Sequence, residues 1–278
     1  MVLEKIFFVR ELNKERKMTK IELELPPVSV IIPAYNEQKW IKNTIESVLK
    51  SGFPCKLIVV DDGSTDKTPE ILKTFGSQIK VISHSKNKGK GAAITSGIKA
   101  SDGEIIVFLD AHLLGLNKAH FLSLVLPLVY NQAKVAIGVG FPKKIPLAGF
   151  QSPMWILSGQ RAYFKKDLLP LLKKFETLGY GVEVFLYNQF KSSKMVVVPL
   201  PGLIHLIKKD TSSPAAATLG YLKEAKEIFS VLTKIENLTP KEFKQLKRTI
   251  VSLWQEYLNQ SRKKAKKYLE PFKKFLLE

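Results

Sequence analysis

The chain has 278 residues, 45% of them hydrophobic and 25% charged, a balance that suits a soluble globular protein with a sizeable core: one large α/β domain with an appendage, or two small domains. A single cysteine, Cys55, excludes an intramolecular disulfide and fits a reducing compartment, and no apolar run reaches the roughly 18 residues that a bilayer-spanning helix needs. The net charge of +19 calls for an acidic partner, whether nucleic acid, an anionic membrane or a phosphorylated substrate, without choosing among them.

Residues 1–27 are charged and mildly amphipathic and end in Pro26-Pro27, which marks an arm and a boundary. The apolar patch in the first ten residues is too short for a signal peptide and is interrupted by Glu4, so the expected location is cytoplasmic, in solution or peripheral on the membrane face. VSVIIPAY then reads as a buried strand that stops at Pro33. Residues 36–52 read as a helix with Trp40, Ile41, Ile45, Val48 and Leu49 on one stripe, closed by Gly52. CKLIVVDDGS is a second buried strand, with Cys55 as apolar filler, and Thr65 to Phe75 is a second helix. IKVISH is a third strand, GKGAAITSGIKAS a third helix and EIIVFLDAH a fourth strand. This alternation over 28–112 predicts βαβ units on a parallel sheet. A further helix, the strand VAIGVG, a Pro/Gly-rich stretch over 141–160, a helical region over 161–190 broken at Gly179-Tyr180-Gly181, and the strand MVVVPLPGLIH follow. From Ser213 onward the pattern is helical, with Thr239-Pro240-Lys241-Glu242 as a capping box and basic residues outnumbering acidic ones.

The polar residues gather at predicted strand ends, and in open α/β sheets ligands sit beyond the carboxyl ends of the strands. Pro33-Ala34-Tyr35-Asn36-Glu37 offers an aromatic ring to stack on a base and two side chains to hydrogen-bond base or ribose, unless Tyr35 and Asn36 are plain turn residues. Asp61 and Asp62 are adjacent carboxylates after a buried strand, a costly arrangement that needs compensation from base N–H donors, ribose hydroxyls or a helix N-terminus. Asp66 reads as the cap of the next helix. In Asn87-Lys88-Gly89-Lys90-Gly91 the glycines before a helix let backbone N–H groups approach a phosphate, and Lys90 adds a charge. The spacing is not that of a Walker A loop. In Asp110-Ala111-His112 the Asp and His, two apart in extended chain, point to the same side and together suit a borderline divalent ion such as Mn²⁺. His205, at the end of a later strand, completes an Asp–His–His set, whereas His84 and His120 carry no assigned role.

The stretches VSVIIPAYNE, LIVVDDGSTD, NKGKGAA, IIVFLDAH, SGQRA and GYGVE, in that order over about residues 28–210, resemble the family 2 glycosyltransferases and their GT-A relatives. The resemblance implies an α/β fold of GT-A type: a Rossmann-like, mostly parallel sheet flanked by helices, as a catalytic domain over 28–212 with a basic helical region over 213–278. It implies a nucleotide-diphosphate-sugar donor held by Pro33, Ala34, Tyr35, Asn36, Glu37, Asp62, Lys90, Asp110 and Ala111, and a divalent metal, Mn²⁺ or Mg²⁺, on Asp110, His112 and His205. Asp110-Ala111-His112 departs from the usual acid-x-acid motif and is similar to the DXH motif of some GT-A enzymes, which add a distant histidine ligand.

PLAGF (146–150), GYGVE and His205 are also similar to glucosyl-3-phosphoglycerate synthases, which implies that Gly149, Gly159, Tyr180, Gly181 and Glu183 lie near the sugar or acceptor. By the same likeness Arg161 faces a phosphate or orients the acceptor loop; as a structural residue it makes a salt bridge instead. Glu183 is the candidate catalytic residue, a base for a hydroxyl acceptor if configuration inverts and a sugar-binding group if it is retained. The acceptor is unknown, with a lipid or phosphorylated molecule favoured.

The basic tail reads either as an amphipathic helix on an anionic membrane or as a helical pair that packs on the catalytic domain or forms a homodimer. Three other functions compete. A nucleotidyltransferase would open with a glycine-rich, Arg- and Lys-containing loop that PAYNE is not. A non-catalytic nucleotide-sugar binder would bind without turnover. Nucleic-acid binding is not expected, since the basic residues are not interleaved with aromatics in a recognised motif.

Overall fold

The computed structural model describes residues 24–141 and 153–205. Most of the N-terminal arm, residues 142–152 with Gly149, and the basic region over 213–278, with its membrane and dimer readings, lie outside the described residues.

Seven strands form one sheet: β1 (Val28–Ala34), β2 (Lys56–Asp61), β3 (Lys80–Ser83), β4 (Ile105–Phe108), β6 (Val135–Phe141), β7 (Arg161–Phe164) and β8 (Met195–Pro201), in the order β3-β2-β1-β4-β7-β6-β8. The first four are mutually parallel. β7 runs antiparallel to both β4 and β6, and β8 is parallel to β6. A two-residue pair, β5 (Leu113–Leu114) with β9 (Ile204–His205), stands apart as a small antiparallel ladder. The chain winds outward from β1 through β2 to β3 and then returns to the other side of β1 with β4. That reversal of strand order opens a crevice at the carboxyl ends of β1 and β4.

Both faces of the sheet are covered, which is why its central strands are apolar runs rather than alternating ones. On one face Val30, Ile32, Val59 and Val107 pack with Ile41, Ile45 and Val48 of α1 (Ile41–Lys50), Leu72 of α2 (Thr68–Lys73) and Phe121, Leu124 and Val125 of α4 (Lys118–Val129). On the other, Ile31, Ile58, Val60 and Ile106 pack with Ile94 and Ile98 of α3 (Lys90–Lys99), Phe175 of α6 (Leu172–Phe175) and Val182 and Leu186 of α7 (Val182–Phe190). The short helix α5 (Lys165–Leu168) leads from β7 toward α6. No helix of the described residues is long and apolar enough to cross a membrane.

Several expectations change. The first strand passes through Pro33 and ends at Ala34, and the first helix begins at Ile41, its approach being a turn; its buried stripe takes Thr44 in place of Leu49, which is exposed. Residues 161–164, read as helix, are the strand β7 in the interior of the sheet, between β4 and β6: a four-residue strand is too short to show alternation, and the lysine-rich residues after it have helical spacing. The fourth strand stops at Phe108, so strand alternation does not orient Asp110 and His112. The last expected strand is cut in two at Gly202, whose φ of 83° lies in the left-handed region that glycine enters without a Cβ penalty.

Phe121, fully buried, stacks on Phe53 with ring centroids 4.9 Å apart. Phe121→Ala is expected to cost about 3–5 kcal/mol of unfolding free energy in a urea titration, and Tyr130→Ala, at a residue 57% exposed, to change it by less than about 0.5 kcal/mol.

Candidate active site

Strand ends and two helix starts bring the polar residues together around Asp110. It lies two residues past β4 and is 8% exposed. Its Oδ1 accepts from Lys90 Nζ at 2.7 Å, and its Oδ2 accepts from Gln160 Nε2 at 2.7 Å and from His205 Nε2 at 3.1 Å. Lys90, at the first turn of α3, also reaches Glu183 Oε1 at 2.5 Å. Burial opposes charge on Asp110, but Lys90 and His205 outweigh it and hold the carboxyl well below its usual range. Burial likewise opposes charge on Lys90, and the two carboxylates beside it raise its ammonium pKa far above the ordinary lysine value. Gly159 is required by this packing: a Cβ there would land on the Asp110 carboxylate.

His112 and His205 meet edge to face, with ring centroids 4.6 Å apart. Ladder register explains how a residue so distant in sequence arrives: Leu113, next to His112, pairs directly with His205. His112 Nδ1 donates to Glu37 Oε1 at 3.1 Å. Burial disfavours charge on His112, but its bond to Glu37 and the charges of Glu37 and Asp110 push its imidazole above the ordinary histidine value. Among the described residues, no group of three or more His, Cys, Asp and Glu side chains is arranged to hold a metal ion by itself.

Asp62 is 3% exposed, and its carboxylate accepts three hydrogen bonds. Its Oδ1 accepts from Lys88 N at 2.9 Å and from His84 Nδ1 at 2.6 Å, and its Oδ2 from Gly89 N at 2.7 Å. The compensation required for two adjacent carboxylates therefore comes from the N-terminus of α3 and a histidine. A carboxylate oxygen accepts two hydrogen bonds, so Oδ2 retains one lone pair toward the crevice. His84 is braced in turn by Ser96 Oγ, 2.8 Å from its Nε2. Asp61 accepts from Ser64 N at 3.1 Å, and Asp66 accepts from Thr68 N at 2.9 Å at the start of α2.

The Pro33–Glu37 segment divides into different parts. Tyr35 directly follows β1 and is 42% exposed. Ala34 is buried, and its carbonyl accepts from Asp62 N at 2.8 Å. Pro33 lines a small cavity with Lys90, Gly159 and Glu183. Asn36, at φ 57°, ties two strand-end loops together: its N–H donates to Ser64 Oγ and its Oδ1 accepts from Thr65 N. The Glu37 carboxylate accepts from His112 Nδ1. Arg161 is 1% exposed. Its guanidinium donates to the carbonyls of Ser158, Ile156 and Glu183, so it fixes the backbone on both sides of the cavity and makes no salt bridge among the described residues. Gly181 opens α7, and Tyr180 lies in the 3-10 turn Gly179–Gly181. Ala111 is buried, with its carbonyl accepting from Thr44 Oγ1 at 2.9 Å. Gly149 lies outside the described residues.

Sequence reasoning missed His84, Ser96, Gln160 and Thr44. His84 carried a signal, since it ends a strand beside the other site residues; Gln160 stood inside a quoted motif; Thr44 and Ser96 gave none, because a helix hydroxyl shows its partner only when the fold is known.

Residues 29–192 match the model of the family described as Glycosyl transferase family 2. The chain is 34% identical over 189 residues to the human dolichyl-phosphate beta-glucosyltransferase, covering 63% of this chain and 53% of that protein. It is 39% identical over 113 residues to a probable glycosyltransferase of Bacillus subtilis, covering 37% of this chain and 26% of that one. The chain thus spans about half or less of the length of these curated relatives. In structure it is similar to glucosyl-3-phosphoglycerate synthase of Mycobacterium tuberculosis in complex with Mn²⁺, UDP and glucosyl-3-phosphoglycerate. The TM-score is 0.57 at 25% identity, over 77% of this chain and 82% of that one. The same enzyme with Mn²⁺, UDP-glucose and glycerol 3-phosphate gives a TM-score of 0.58 at 25% identity, over 82% and 88% of the two chains.

A carboxyl group held below its ordinary value stabilises the fold above that value and loses this contribution as pH falls through the folded-state pKa. Asp110→Asn is therefore expected to flatten the loss of stability below about pH 4 in acid-unfolding titrations; an acid limb identical to that of the unmodified chain would show that the Asp110 carboxylate does not contribute.

Proposed function

The chain belongs to glycosyl transferase family 2, and from that membership we propose that it transfers a sugar from a nucleotide-diphosphate-sugar donor to an acceptor with help from a divalent cation. The observation that carries this reading is the convergence of Lys90, Asp110, His112 and His205 beside Tyr35 and Asp62, at the carboxyl ends of β1 and β4. Tyr35 offers a stacking surface for the base, and the remaining lone pair of Asp62 Oδ2 accepts a base N–H.

The side chains fit a divalent cation on two counts. One carboxylate with two imidazoles suits Mn²⁺ chemically. In addition, Asp110 Oδ2 and His205 Nε2 stand 3.1 Å apart, close to the ~3 Å between neighbouring ligands of an octahedral ion bound at about 2.1 Å. Asp110, His112 and His205 would hold it, and the donor diphosphate would complete the shell that these three leave open. Bound there, the cation supplies Lewis-acid stabilisation of charge on the leaving nucleoside diphosphate. Mn²⁺ and Mg²⁺ complexes of the structurally similar synthase support a divalent ion.

Lys90 neutralises Asp110 and Glu183 before substrate arrives, and its ammonium lies within reach of the same phosphates. Moving toward them, it adds positive charge where negative charge develops, which lowers the barrier rather than merely tightening binding. That movement releases Glu183, whose carboxylate then takes the proton of a hydroxyl acceptor or binds the sugar. Arg161 keeps the α7 end of this arrangement rigid through the Glu183 carbonyl.

A thermal-shift screen of UDP-, GDP- and ADP-sugars, each with and without Mn²⁺, is expected to show a cation-dependent rise in melting temperature with one nucleotide class. Asp110→Ala and His205→Ala should each lower Mn²⁺-stimulated turnover on the order of a hundredfold or more; full activity in His205→Ala would remove His205 from the cation site. Gly159→Ala, whose added methyl displaces the Asp110 carboxylate while every candidate ligand residue stays in the sequence, should lose the same Mn²⁺ stimulation while still folding.

A further inference from the structure

His112 is useful to a cation only if one ring nitrogen carries a bare lone pair pointed at it, and a neutral imidazole has two tautomers to choose between. The structure supplies a device that chooses. Glu37 Oε1 lies 3.1 Å from His112 Nδ1, and a carboxylate only accepts, so the proton belongs on Nδ1. His112 Nε2 makes no hydrogen bond within the described residues and is the nitrogen left for a ligand. We propose that Glu37 is a positioning residue for the cation site, locking His112 in the tautomer protonated on Nδ1 so that Nε2 presents its lone pair to the divalent ion. The inference rests on the reading of His112 as a cation ligand given above.

Three features give the brace its rigidity. The Glu37 backbone is anchored at both ends of its residue: its N–H donates to Thr68 Oγ1 at 2.8 Å, and its carbonyl accepts from Trp40 N and Ile41 N, each at 3.0 Å, at the approach to α1. The His112 backbone is held by the same helix, since the fully buried Thr44 hydroxyl meets Ala111 O at 2.9 Å and Leu113 O at 3.1 Å and accepts from Leu113 N at 3.0 Å. One hydroxyl hydrogen serves the two carbonyls, so Thr44 spans the peptide units on both sides of His112. The ring and its backbone are thus fixed from α1 and the turn that leads into it, and the ring also packs against His205. A carboxylate that accepts from a ligand imidazole orients the ring and strengthens it as a donor.

The test measures Mn²⁺ affinity directly, by calorimetry or by electron paramagnetic resonance of free Mn²⁺, with UDP present and no acceptor. Glu37→Ala is expected to weaken Mn²⁺ binding about 10- to 100-fold. Glu37→Gln should restore most of it, because an amide oxygen accepts the same N–H. The double variant Glu37→Ala/His112→Ala should bind no more weakly than His112→Ala, since both changes act on one interaction. UDP affinity in EDTA should be unchanged in Glu37→Ala. In the metal-free unmodified chain, ¹⁵N spectra taken above the imidazole titration should show His112 protonated on Nδ1, and in Glu37→Ala a population protonated on Nε2.

Wild-type Mn²⁺ affinity in Glu37→Ala, alongside lost affinity in His112→Ala, overturns the proposal while leaving the cation site standing. Undiminished affinity in His112→Ala instead overturns the cation-ligand reading beneath it. Weakened UDP binding in EDTA for Glu37→Ala assigns Glu37 to the nucleotide and also overturns the proposal. An unmodified chain protonated on Nε2 does so even if the variants fail to fold.

Discussion

A carboxylate buried at the centre of the site organises the structure around it. Taking Asp110 out of water is costly unless every lone pair and the charge itself find partners. Lys90 supplies the charge, and Gln160 and His205 supply donors from two other segments of the chain. Each partner demands its own support. Lys90 is placed by the start of α3, which Asp62 fixes through two backbone N–H groups. His205 is placed by a two-residue ladder. Gln160 sits beside Gly159, where a larger residue would displace the carboxylate.

The site is assembled from loops, while the sheet sets where those loops emerge. The parallel strands β1, β2, β3 and β4 all end on the same edge, so Tyr35, Asp62, His84 and Asp110 reach one crevice although their chain positions are far apart. The antiparallel β7 enters that edge from outside and delivers Gly159 and Gln160 just before its first residue. The helices that cover the two faces then flank the crevice, α1 through Thr44, with Glu37 in the turn before it, on one side, and α7 through Glu183 on the other.

Much of this was legible in the sequence. Buried strand runs alternating with helices over 28–112 were readable because fully covered parallel strands are nearly all apolar, and the carboxyl-end rule then located the crevice. Asp110, His112 and His205 were readable as a set, although for a partly mistaken reason: the strand ends before Asp110, and ladder register rather than strand alternation brings the histidines together. Residues 161–164 were misread because a buried arginine in a four-residue strand carries no hydrophobic signature. Asn36 and Glu37 were assigned to the nucleotide, and Arg161 to a phosphate or to the acceptor loop; what the sequence did not show is what else they hold, Thr65 for Asn36, His112 for Glu37 and the Glu183 carbonyl for Arg161. A polar residue near a site looks the same in sequence whether it binds substrate or holds the residue that does; only its neighbours in space tell the two apart.

The ammonium of Lys90 has one more implication. Many metal-binding domains collapse when stripped of their ion, because the ligands then face one another as bare like charges. Here the two acidic groups closest to the reaction centre already share a resident organic cation. The chain therefore offsets this acidic pair with its own side chain, and the folded state holds no bare like charges here that an inorganic ion would have to neutralise.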